Sequence, residues 1–272
     1  MECGDSSPLS FPARERFCEV TRRQSGFEES KAAMNRRSPK VKIMFALILK
    51  ELRSLTRVIA LALLADGWML SELTGQSHWV RGDIELQAGF ALAQTDWLIW
   101  FGFLLASIAT VVGLAMSLDD GLRGTWAFAL FRPVSRRTYI GAKLLVGGVV
   151  TLVLSMLPVV VYSMWAARPG NVAAPFRWSQ LQPAIEACGW SVVVFLGAFL
   201  SGIRPAKWWW SRLWPLVTTV TLGMWFWLAS FDPQLDFGPL MPTTPQYWVV
   251  CLAMVIALSV SILAVVEERE FA

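Results

Sequence analysis

Residues 97–118, WLIWFGFLLASIATVVGLAMSL, decide what kind of protein this is. The run contains no charged residue, and about 20 apolar residues rising 1.5 Å each reach across a hydrocarbon layer of roughly 30 Å. Comparable runs recur on both sides of it. Of 272 residues, 55% are hydrophobic and 16% charged, with a mean hydropathy of +0.50, whereas a soluble domain carries about 25% charged residues. The sequence reads as an all-α integral membrane protein, so length is no guide here to a number of soluble domains.

Six transmembrane helices are expected, over about 58–73, 97–118, 144–165, 184–203, 213–230 and 247–266, within a membrane domain of residues 58–272. The first (VIALALLADGWMLSEL) is the weakest, being short and containing Asp66. Pro158 is expected to kink the third. Trp97, Trp165, Trp214, Tyr247 and Trp248 stand at span ends, as an interfacial aromatic belt requires. Loops 119–143 and 204–212 carry five and three Lys or Arg, against one, two and none in 74–96, 166–183 and 231–246. That bias predicts a multi-pass protein of the plasma membrane with both termini cytoplasmic.

Residues 1–40 hold eight basic and six acidic residues and no apolar run, and read as a disordered cytoplasmic tail. Met34 opens a more ordinary beginning, MNRRSPKVKIMFALILKELR, as if the first 33 residues were dispensable. Over 41–57, VKIMFALILKELRSLTR, the cations Lys42, Lys50, Arg53 and Arg57 fall within an arc of about 80° on a helical wheel. Val41, Met44, Phe45, Ile48, Leu52 and Leu55 lie opposite. This predicts an amphipathic interfacial helix with its cations towards anionic membrane lipid. Glu51 falls near the apolar face and needs a partner. The alternative is one long tilted helix over 41–73 with a charged start.

The loop after the second expected span is the most informative. Asp119 and Asp120 suit the first turn of a short helix, where acids meet the positive end of the dipole. Leu122, Trp126, Ala129 and Leu130 then recur at helical spacing. Pro133 stops this helix, because the residue before a proline is driven out of the α region. Ser135 can N-cap the next, which runs through Tyr139 and Lys143 into the third span.

With these residues in place, MSLDDGLRGTWAFALFRPVSRRTYIGAKLLVG (116–147), preceded by LKELRSL (49–55), resembles the permease subunits of ABC transporters of the ABC-2 membrane-protein superfamily. The matching positions are Asp120, Gly124, Thr125, Leu130, Pro133, Val134, Ser135, Arg136 and Lys143. The six spans, the inside termini and the ending EEREF agree, so the resemblance covers roughly 41–271; family members usually carry Glu where Asp119 and Asp120 stand. The resemblance implies that 119–133 is a cytoplasmic coupling helix seated in a separate ATP-binding subunit. Asp119, Asp120, Arg123, Gly124, Thr125, Trp126, Leu130, Arg132, Pro133, Ser135 and Arg136 would make that contact. The interfacial helix, with Lys50, Glu51, Arg53 and Arg57, would flank it, and loop 204–212 would add a second contact. ATP and Mg would be bound only by the partner. Six spans form a half-transporter, so a second permease chain, identical or related, would complete an exporter.

Chemistry of the chain's own is sparse. No G-x-x-x-x-G-K-[ST] occurs, and the lone histidine, His78, has no G-x-S-x-G beside it. Cys3, Cys18, Cys188 and Cys251 form no CxxC pair, which disfavours zinc and disulfide frameworks. The net charge of +4 sits in loops on one side, as topology requires, and argues against nucleic acid. Lys207-Trp208-Trp209-Trp210 and Arg212 read as an interfacial anchor in preference to a base-stacking platform. Gly141, Gly147 and Gly148 read as close-packing positions between helices. Asp66 and Glu186 are candidates for a polar transport path, since ionisable groups inside a bilayer are costly and often functional. Asp66 at an interface, or paired with another helix, is the bland alternative. The expectation is a transport subunit and not an enzyme; a non-catalytic membrane scaffold and an intramembrane enzyme are the competing readings.

Overall fold

The computed structural model describes residues 39–75, 91–93, 95–122, 136–171, 176–204, 208–231 and 244–268. Their order is α1 (Pro39–Ser54), α2 (Thr56–Leu73), a 3-10 turn (Ala91–Ala93), α3 (Thr95–Leu122), α4 (Arg136–Ala166), a 3-10 turn (Trp178–Leu181), α5 (Gln182–Ile203), α6 (Trp209–Phe231) and α7 (Thr244–Glu268). Among the described residues there is no strand. The chain divides into Met1–Leu47 and Ile48–Ala272. Of the first unit only the start of α1 is described, and all packing below belongs to the second.

Four stretches are long and apolar enough to cross a membrane: Trp97–Leu118, Arg137–Ala166, Trp178–Ile203 and Pro245–Glu267. They are compatible with a membrane protein, as is the large apolar surface they present. Val149, Val153, Val160 and Met164 of α4 and Leu252, Ile256 and Val260 of α7 are all exposed, far more than a soluble monomer leaves to water. The other two expected spans, 58–73 and 213–230, fall within α2 and α6. Helix α2 differs because Arg57, Asp66 and Glu72 interrupt its apolar sequence.

Helix α5 is the axis of the bundle, packing against α3, α4, α6 and α7. From Trp190 to Ile203 every residue but Val192 is buried, so this helix is apolar on all sides because it is surrounded on all sides. Small residues let the neighbours approach closely. A Cβ on Gly113 of α3 would lie 2.6 Å from the Phe195 carbonyl oxygen and 2.7 Å from the Ala198 Cβ. Gly147 of α4 faces the Phe195 ring and Met116 in the same way, whereas Gly141 and Gly148 have open space, so only one of the three α4 glycines expected at close contacts is at one.

Two boundaries differ from the sequence expectation. The break between α1 and α2 falls at Leu55, so Arg57 stands in the first turn of α2. Leu55 keeps a helical conformation; its N–H donates to the Glu51 carbonyl at 3.2 Å and its carbonyl accepts from the Ile59 N–H at 2.8 Å, so the hydrogen-bond ladder runs through the break. Ser54 Oγ also donates to the Glu51 carbonyl at 2.8 Å and Thr56 Oγ1 to the Arg53 carbonyl at 2.5 Å, and buried Leu55 belongs to the core. Helix α3 runs past Leu118 to Leu122. Asp119 and Asp120 therefore stand in its last turn, not in the first turn of a following helix. Helix α4 runs through Pro158 without interruption.

The two kinds of glycine make the packing testable. Gly113→Ala should lower unfolding stability by about 1–3 kcal/mol, because the backbone of α5 must retreat. Gly148→Ala should be neutral or stabilising by up to about 1 kcal/mol, since only helix propensity changes. Thermal unfolding of the two purified variants against the parent chain checks the difference in sign.

Candidate functional site

One end of the bundle gathers the ends of α1, α3, α5 and α7 and the starts of α4 and α6. Its centre is Lys143, 2% exposed, and Glu51, 3% exposed. Lys143 Nζ lies 3.5 Å from Glu51 Oε2 and donates to the Met116 carbonyl of α3 at 2.8 Å. Exposed Lys50 stands 3.6 Å from Glu51 Oε1. Both ammonium groups also approach the Tyr139 ring, Lys50 at 5.7 Å and Lys143 at 5.4 Å from its centre, where the negative face of the ring stabilises them. Glu51, anticipated to need a partner, thus has one, and it is a lysine of the quoted motif.

Further ties close this end. Arg137 at the start of α4 pairs with Glu267 at the end of α7, 2.6 Å apart and exposed. Arg212 of α6 donates from Nε to the Ser201 carbonyl at 3.1 Å and from Nη2 to that of Gly202 at 2.7 Å, a cation placed on the negative end of α5. The Leu216 N–H donates to Ser201 Oγ at 3.1 Å, a cross-helix contact that follows Pro215. Arg53 and Arg57 are exposed, as are Phe45, Leu49 and Leu52 and the tryptophans Trp208, Trp210 and Trp214.

The remaining motif residues are only partly described. Asp119, Asp120 and Arg136 belong to the backbones of α3 and α4. Arg123, Gly124, Thr125, Trp126, Leu130, Arg132, Pro133 and Ser135 lie outside the described residues, as do His78 and most of the loop from Phe231 to Gln246.

Further buried polar residues lie on α2, α4 and α5. Asp66 of α2 is 1% exposed, and neither carboxylate oxygen has a hydrogen-bond partner. On α4, Ser155 Oγ lies 2.8 Å from Ser191 Oγ of α5, and Cys188 Sγ donates to the Ser155 carbonyl at 3.1 Å. Thr151, one turn before Ser155, is fully buried, and its hydroxyl oxygen has no partner. Sequence reading singled out Asp66 and passed over the hydroxyls, each of which looks ordinary alone. The usable signal was the one-turn spacing of Thr151 with Ser155 and of Cys188 with Ser191 on neighbouring apolar helices. Glu186 stands apart from them. It is half-buried near the start of α5, accepting from Gln182 Nε2 at 3.2 Å, while its carbonyl accepts from the Tyr247 hydroxyl.

Beside α5 a small cleft of about 70 Å³ lies between α3 and α6. Phe103, Val194, Val220 and Met224 make it apolar; Ser191, Trp190 and Tyr247 supply its polar points. Trp190 Nε1 is turned away to donate to the Thr219 carbonyl at 2.9 Å. Among the described residues, Cys188 and Cys251 are free and buried.

Removing one half of a buried ion pair strands the other charge. Lys143→Met should cost about 3–5 kcal/mol of stability, and Glu51→Leu with Lys143→Met should recover much of it. A double-mutant cycle on unfolding midpoints reads the coupling directly.

With that geometry established, comparison of the chain with known protein families, with curated proteins and with solved structures finds no match.

Proposed function

We propose that this chain is the membrane-spanning subunit of an ATP-driven exporter of the ABC-2 type, moving its cargo by coupling to a separate ATP-binding subunit. The observation that carries the reading is the buried Lys143 contact with Glu51 and the Met116 carbonyl. Residues 123–135 leave α3 six positions after Met116 and enter α4 seven positions before Lys143. Lys143 joins the flanking ends of α3 and α4 to Glu51 of α1, so a push on the loop would be delivered to all three helices.

In this reading α2 to α7 make six spans, with the Lys- and Arg-rich end cytoplasmic. Helix α1 lies at the inner surface, and its exposed Phe45, Leu49 and Leu52 meet lipid. Trp208, Trp210 and Trp214 mark the same interface. A second permease chain completes the path, in the plasma membrane. Magnesium and ATP are held by the partner and supply the mechanical work there; this chain contributes the contact surface and the lever.

The test is purification of the full chain from its native membranes. A protein with a Walker motif should co-purify in stoichiometric amount and hydrolyse ATP. Pro133→Gly and Arg136→Glu should lower that hydrolysis at least tenfold or break the complex, while the chain still inserts. Hydrolysis and complex unchanged by both substitutions, or a chain that carries no nucleotide hydrolase, would sink the reading.

An intramembrane enzyme remains the second reading on one observation, the contacts of Ser155 with Ser191 and Cys188 between α4 and α5. ATP-independent turnover by the purified chain would favour it.

A further inference from the structure

Helix α1 meets the bundle along one narrow line. Glu51 and Leu55 are buried, and Ile48 packs against the same core. Leu49 and Leu52 are exposed apolar side chains, and Lys50, Arg53 and Arg57 are exposed cations. The backbone ladder continues through Leu55, so residues 48–57 share one helical wheel at about 100° per residue. On it Lys50, Arg53 and Arg57 fall within an arc of about 60°, and Leu49 and Leu52 occupy a neighbouring arc of about 60°. Glu51 and Leu55 take the remaining side. The apolar face expected from the sequence is thus divided: Ile48 and Leu55 go to the bundle, and Leu52 turns away from it.

The same division sorts charge. Glu51, the acid of this segment, is turned inwards and lies 3.5 Å from buried Lys143. Of the three outward cations only Lys50 reaches it, at 3.6 Å. Among the described residues Arg53 and Arg57 have no ion-pair partner. Lys50, Arg53, Arg57 and Lys143 against one Glu51 leave a clear surplus of positive charge, and all but Lys143 are exposed.

An outward face that sets leucines beside unneutralised cations matches one boundary well. Its apolar side chains enter the acyl region while its cations meet the phosphates of the headgroup layer, reached along their own apolar stems. The level agrees with a second element. Trp208, Trp210 and Trp214 are exposed at the start of α6, which Arg212 ties to the end of α5 at this same end of the bundle. Exposed tryptophans at a helix start mark the headgroup level.

We propose that residues 48–57 form a binding face for anionic phospholipid, with headgroup phosphates on Lys50, Arg53 and Arg57 and acyl chains against Leu49 and Leu52, and that this lipid holds α1 in place for the Glu51 contact with Lys143. The inference rests on the proposed function in taking this end of the bundle as the inner membrane surface, and it adds the lipid on which the element joined to the loop depends. It needs no ATP-binding subunit.

The test uses the full chain in nanodiscs, with hydrogen–deuterium exchange of the backbone amides of residues 48–57 as the readout. Discs of phosphatidylcholine alone are compared with discs in which roughly a third of the lipid is phosphatidylglycerol. Phosphatidylglycerol should slow this exchange about tenfold, and about 1 M sodium chloride should remove the slowing by screening the cations. Lys50→Gln, Arg53→Gln and Arg57→Gln together should abolish it, whereas the charge-conserving set Lys50→Arg, Arg53→Lys and Arg57→Lys should keep it. Arg137→Gln, which removes a cation already paired with Glu267, should leave it intact. The proposal is overturned if phosphatidylglycerol does not slow exchange, if the slowing survives the three Gln substitutions or the salt, or if inorganic phosphate reproduces it in phosphatidylcholine discs. Slowing that appears only on addition of a co-purified soluble protein makes this face a protein contact and overturns it as well. Should the triple Gln variant not fold, the salt dependence of the parent chain decides. None of these readouts uses a nucleotide hydrolase, whose absence would sink the proposed function alone.

Discussion

Everything in the bundle is placed by the contact of α3 with α5 at Gly113. Backbone meets backbone there, with no side chain between Gly113 and the Phe195 carbonyl. In a lipid environment the hydrophobic effect gives helices little reason to associate, and close van der Waals fit takes its place. Helix α5 is the element every neighbour must fit. Its ring Phe195 fills the room that Gly147 leaves on α4, and its far end carries Cys188 and Ser191 to Ser155 of α4. Registering α3 and α4 on α5 also brings the Met116 carbonyl to Lys143. The buried ion pair at one end and the Ser155 contacts within are both consequences of that one fit.

Glu51 and Asp66 differ in how their charges are balanced. At the bundle end, Glu51 meets Lys143 directly, Lys50 stands close by, and the Tyr139 ring lies against both ammonium groups. Attraction there is repaid within the chain, which makes the group suited to holding three helices in register. Asp66 has no such balance: it is buried, and neither carboxylate oxygen has a hydrogen-bond partner.

Much of this was legible in the sequence, and the limits are physical. Apolar runs such as 97–118 declare themselves because a bilayer demands length and apolarity from every spanning residue. Glu51 on an apolar face was a visible debt, and Lys143 was visible as part of a motif; that one settles the other required the fold. The centrality of α5 was not legible, because a lipid-facing helix and a fully surrounded one have nearly the same composition. Asp119 and Asp120 misled for a simple reason. An acidic pair suits a helix start, yet here the apolar helix before it continues to Leu122. Thr151, Ser155 and Ser191 were overlooked since a lone hydroxyl in an apolar helix commonly bonds its own backbone. In the fold, the buried Thr151 hydroxyl makes no such bond.

Helix α6 is hung on α5 by side chain and backbone: Trp190 on the Thr219 carbonyl, Arg212 on the last carbonyls of α5, and Ser201 on the N–H after Pro215. Its other flank borders the apolar cleft shared with α3. The bundle therefore has a seam with unequal sides, stitched along α5 and merely abutted along α3. Any movement that widens this seam carries α6 as a leaf turning on α5, with its stitches intact.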